Sequence, residues 1–70
     1  MTFEEIKQKV AESGIGLPCC FKTEDGENGI LSQGCDLTNH YFRTEISQKN
    51  GWTRFNDYWE DGTTEEWYKK

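Results

Sequence analysis

Hydrophobic positions recur in two rhythms along the chain. Phe3, Ile6 and Val10 stand at helical spacing, with Lys7, Gln8, Lys9 and Glu12 on the other side, the pattern of one amphipathic helix with a single apolar stripe. Thr2-Phe3-Glu4-Glu5 has the capping-box form at its start. Ser13-Gly14, then Gly16 and Pro18, end it, because glycine supplies a left-handed cap and proline cannot continue a helix. Beyond Leu17 the rhythm shortens to alternation broken by turn residues. Cys19, Cys20 and Phe21, the polar run Glu24-Asp25-Gly26-Glu27-Asn28-Gly29, and Ile30-Leu31 read as a short hairpin, and Gly34 to Asn39 read as a loop.

The clearest turn signal is Asn50-Gly51, which fits a two-residue type I′ hairpin because both central residues there need positive φ. Counting outward pairs Ile46 with Phe55, Thr44 with Asp57, Arg43 with Tyr58 and Phe42 with Trp59. Alternation then puts Phe42, Ile46, Phe55 and Trp59 on the face toward the helix, and Tyr41, Arg43, Glu45, Trp52, Arg54 and Tyr58 on the outward face. Asp61-Gly62 marks another hairpin, with Thr64 to Lys69 as a further strand; in the tightest pairing Trp67 joins the outward face opposite Asn56. A Thr63/Glu66 capping box and Glu/Lys pairs four apart make a short helix the competing reading of 63–70. The expected fold is α+β, a single domain over residues 1–70, with one N-terminal helix on a four- to five-stranded antiparallel sheet of hairpins.

Composition narrows the function. Seventy residues, 33% of them hydrophobic, support one small core and leave no side chains over for a walled catalytic pocket. Ten residues are Phe, Trp or Tyr, and eight of these lie in the last thirty positions, so the C-terminal half carries most of the buriable area. No Walker, Rossmann, HExxH or EF-hand pattern occurs, and the expectation is a non-enzyme without cofactor or metal. A net charge of −5 argues against a basic nucleic-acid footprint and favours a protein partner with a basic surface. The start of the chain has neither a basic leader nor a long apolar run, from which a cytoplasmic, non-membrane setting is expected.

Three candidate chemistries follow. Tyr41, Arg43, Trp52, Arg54, Tyr58 and Trp67 form a mixed aromatic and cationic face of the composition that dominates protein interfaces. Glu24, Asp25 and Glu27 form an acidic tip suited to a basic groove. Cys19, Cys20, Cys35 and His40 are the only soft metal ligands, but adjacent cysteines point to opposite sides of a strand, so a small metal or thiol redox module is the alternative reading. A disulfide from Cys35 to either neighbour requires Cα atoms within about 7 Å, and the same register sets His40 opposite Asp61. In size and charge alone the chain resembles the small acidic inhibitors carried by phages and mobile elements, including anti-CRISPR and nucleic-acid-mimic proteins; that resemblance implies a modulator of a larger, nucleic-acid-handling partner.

Overall fold

In the computed structural model, which describes residues 1–70, the capping signals bound a helix α1 over Phe3–Ser13. The Thr2 hydroxyl accepts the Glu5 N–H at 3.3 Å, and Gly14 closes the helix with φ of 66°. Five strands follow: β1 Cys19–Lys22, β2 Asn28–Asp36, β3 Asn39–Ser47, β4 Thr53–Trp59 and β5 Thr64–Lys69. They pair in chain order as one antiparallel meander, β1-β2-β3-β4-β5. The α+β expectation holds, and residues 64–69 are strand rather than helix.

Three of the four hairpin turns share one geometry, and it is not the two-residue turn expected at Asn50-Gly51. In Thr23–Glu27, Gln48–Trp52 and Trp59–Thr63, the first residue donates its N–H to the fifth residue's carbonyl, and the fourth donates back to the first. That fourth residue is Gly26, Gly51 or Gly62, with φ between 82° and 93°. This is a three-residue loop, a type I turn followed by a left-handed glycine and a bulge. A type I′ turn needs positive φ at Asn50 as well, and Leu37 is the sole non-glycine residue with positive φ. The Asn50 and Asp61 side chains instead accept the N–H two residues on, from Trp52 at 3.0 Å and Thr63 at 2.9 Å.

The extra loop residue shifts β4 by one position against β3. Phe42 faces Tyr58, Arg43 faces Asp57, Glu45 faces Phe55 and Tyr41 faces Trp59. A one-residue slip turns every side chain of a strand over, so Arg54 and Tyr58 lie on the helix side, and Phe55 and Trp59 on the open side. β5 is shifted by one relative to its own tightest pairing, so Trp67 faces Phe55 rather than Asn56. The two shifts cancel for Trp67, which reaches the open face as expected.

Gly34 to Asp36 and Asn39 belong to strands, not to a loop; only Leu37 and Thr38 form the turn. Leu37 has φ of 59° and is 94% exposed, so this leucine takes a left-handed conformation with no packing in return. That conformation costs an L-residue roughly 1–2 kcal/mol, partly offset in a glycine variant by about 0.4–1 kcal/mol of unfolded-chain entropy. Leu37→Gly is therefore expected to raise stability by about 0.5–1 kcal/mol, read as a higher urea midpoint; a lower midpoint would show that the leucine has an unseen packing role.

The helix side holds the core. Phe3, Ile6 and Phe42 form the buried cluster, with Val10, Leu17, Leu31 and Tyr58 packed partly against it; Ile46 is also buried. The exposed area is 5080 Å², against about 4,500 Å² expected for a folded monomer of 8.2 kDa. The excess follows from geometry, since one three-turn helix covers β3 and its neighbours and leaves the opposite side of the sheet without any second layer.

Candidate functional site

The uncovered side of the sheet is where the aromatic residues gather. Alternation along β3, β4 and β5 brings Tyr41, Arg43, Phe55, Asp57, Trp59 and Trp67 to it. Tyr41 and Trp59 pair across strands with ring centroids 4.6 Å apart, and Phe55 and Trp67 lie stacked at 4.0 Å and 5°. Between these two pairs sits Arg43, its guanidinium carbon 5.1 Å from the Tyr41 ring centre, 5.3 Å from Trp67 and 5.9 Å from Phe55. Cationic guanidinium is attracted to aromatic faces at these distances.

Asp57 lies beneath this layer, 3% exposed. Arg43 donates to it through two nitrogens, at 2.7 and 3.1 Å, and the Trp67 indole N–H donates at 3.3 Å. Such two-pronged pairs are the stronger class of ion pair. The hydrogen bond to Asp57 raises the Arg43 pKa further above its ordinary value, against the opposing effect of burial. Arg43 therefore stays charged at every pH at which the fold is handled. Asp57 also has an unfavourable neighbour, since Glu65 stands directly opposite on β5 and like charges so placed repel; the Arg43 guanidinium offsets that repulsion. The Trp59 indole nitrogen is buried without an acceptor. Gly34 makes room for the layer: a Cβ there would lie 2.6 Å from the Tyr41 hydroxyl.

Of the residues expected on this face, Tyr41, Arg43 and Trp67 are brought together. Arg54 and Tyr58 are on the opposite side, and Trp52 stands apart in the β3–β4 loop with Lys70 over its ring at 5.6 Å. Phe55, Asp57 and Trp59 were missed because the loop length was misread by one. The signal that identifies them was present, since only the shifted register sets Arg43 against Asp57.

Charge is distributed differently from the rings. The open face carries Lys22, Arg43 and Lys69 against Asp36, Glu45, Asp57 and Glu65, so it is nearly neutral. Glu24, Asp25 and Glu27 sit in the β1–β2 loop at one end of the sheet, whereas Glu60 and Asp61 sit in the β4–β5 loop at the other. Nine-residue strands separate these ends by about 26 Å, so the two acidic groups form no common patch. His40 meets Glu60 rather than Asp61, at 3.5 Å. Asp61 accepts from Thr63 and from Asn39 at 3.3 Å, and the Thr63 backbone N–H lowers its pKa most. Its contribution to folding is present above the ordinary carboxylate range and lost as pH falls through the lowered value.

The soft-ligand set is dispersed. Cys19 pairs with Leu31 and Cys20 with Ile30, on opposite faces, and all three cysteines are free. Cys35 is four residues beyond Leu31, about 13 Å along β2, which rules out a disulfide with either neighbour. No group of three or more His, Cys, Asp or Glu residues converges as a metal site. No helix is long and apolar enough to cross a membrane. An apolar groove of about 540 Å³ runs between α1 and β1–β2, lined by Ile6, Val10, Ile15, Phe21 and Leu31, with Thr44 beneath. Set against protein-family models, curated proteins and solved structures, the chain matches none of them.

Proposed function

We propose that the chain is a non-catalytic protein-binding module that acts on a larger partner through the open face of its sheet. The observation that carries this reading is the pair of aromatic stacks, Tyr41 with Trp59 and Phe55 with Trp67, on a sheet face that no other element covers. Aromatic residues and arginine supply most of the binding energy at protein interfaces, and they do so best where they are held rigid before contact. Here Asp57 holds Arg43, and Arg43 holds three rings. The acidic loops at the two ends serve to steer a basic partner rather than to anchor it. Inhibition of a nucleic-acid-handling protein in the cytoplasm, as a phage or mobile-element accessory, is the specific form of this reading that size and charge favour.

The test is capture from the source cells with three baits: the native chain, a Tyr41→Ala/Trp59→Ala variant, and a Tyr68→Ala variant altered on the helix side. A specific partner is expected with the first and third baits and not with the second. Equal recovery by all three would clear the open face of any role in binding.

A further inference from the structure

The β2–β3 hairpin carries a group of reactive side chains that the aromatic face does not use. Cys35 and His40 stand directly opposite each other on the helix side of the sheet. The His40 carbonyl accepts the Glu60 N–H at 2.8 Å, so the His40 backbone bonds toward β4 and its pairing with Cys35 is of the non-hydrogen-bonded kind. In such pairs the Cα atoms are about 4.5 Å apart and the side chains approach most closely. Beyond the imidazole, Glu60 Oε1 lies 3.5 Å from His40 Nδ1. Lys7 of α1 shares with Cys35, His40 and Glu60 the wall of a surface cleft of about 570 Å³.

We propose that Cys35 is a nucleophilic thiol that exchanges with low-molecular-weight disulfides, with His40 as its base and Glu60 as the positioning residue. A carboxylate accepting from Nδ1–H leaves the Nε2 lone pair free. The thiol proton passes to Nε2 as Cys35 Sγ attacks one sulfur of the disulfide. A new S–S bond forms, the old one breaks, and the departing thiolate takes the proton back from the imidazolium. The protein thiol is oxidised to a mixed disulfide, and the small disulfide supplies the oxidising equivalent by releasing one thiol. Lys7 favours reagents that bear carboxylates. The adduct persists, because Cys19 and Cys20 are too distant to resolve it.

Cys20 is a built-in standard, an exposed thiol on the other face, opposite Ile30 and with no imidazole partner. Two single-thiol chains, Cys19→Ser/Cys20→Ser and Cys19→Ser/Cys35→Ser, would be treated with a carboxylated aromatic disulfide whose released thiolate is coloured. Cys35 is expected to react about tenfold or more faster than Cys20, a modest share of what positioned bases supply. His40→Gln should bring Cys35 down to the Cys20 rate; Glu60→Gln should slow it partly, and Glu60→Asp should restore it. His40 and Glu60 side chains are 61% and 46% exposed, and unchanged circular dichroism would confirm that the variants fold. In concentrated urea the two thiols should react alike. Rates for Cys35 and Cys20 within about twofold in the folded chains, a Cys35 rate indifferent to His40→Gln, or an advantage that survives unfolding would each overturn the assignment.

Discussion

Replacing Asp57 by alanine is expected to destabilise the domain by about 3 kcal/mol, the lower end of the range for breaking a buried ion pair, because Arg43 keeps 29% of its side chain in water. The loss has two sources. Arg43 remains charged within a cluster of rings without its counter-ion, and the Trp67 indole loses its acceptor. A domain of this size has little stability in excess of that, so urea unfolding followed by tryptophan fluorescence should show a midpoint close to zero denaturant. Asp57→Asn keeps an acceptor and should fall between. Replacing both partners, as Arg43→Met/Asp57→Leu, should restore much of the loss, since apolar pairs often substitute for buried ion pairs. A drop below about 1 kcal/mol for Asp57→Ala would mean that the pair is solvated and that the rings are not held by it.

That pair also shows where the sequence was legible and where it was not. The helix was readable to the residue because its limits depend on local chemistry: a threonine hydroxyl at one end, a left-handed glycine at the other. The meander was readable at three of its reversals because Asp25-Gly26, Asn50-Gly51 and Asp61-Gly62 mark them. Loop length was not, since the same dipeptide suits a two-residue turn with positive φ at both positions and a three-residue loop with positive φ at glycine alone. Choosing between them requires knowing what the far ends of the strands gain. One register pairs Arg43 with Tyr58 and Thr44 with Asp57; the other gives Arg43 its carboxylate and sets Tyr41 against Trp59. The turn is compatible with both, and the tertiary pairing selects one. Inward and outward residues on β4 were exchanged for that reason, whereas those on β3, which the β3–β4 register does not affect, stayed where alternation put them. The β2–β3 turn was unreadable for a different reason, because a leucine at positive φ carries no turn signal.

Ile6→Ala is expected to cost about 2–4 kcal/mol, a typical price for emptying a buried aliphatic site, and its consequence differs from that of Asp57→Ala. Ile6 is 2% exposed, the most buried hydrophobic side chain in the chain. With Phe3, whose ring lies 4.9 Å from that of Phe42, it makes up the pair of buried residues on α1, and Val10 adds a partly buried contact. No second helix or loop clamps α1 from outside, and an eleven-residue helix is marginal in water by itself. The helix should therefore loosen before the sheet does. Amide exchange over residues 3–13 should become fast while β3 and β4 stay protected, and a dye that fluoresces in apolar sites should bind the enlarged groove beside Val10 and Leu31. The Tyr41–Trp59 and Phe55–Trp67 stacks lie on the opposite face, so partner capture by the open face should survive in conditions where the sheet remains formed. If exchange instead accelerated equally in α1 and in β4, the two faces would form one cooperative unit, and the open-face layer would depend on the helix-side core for its existence.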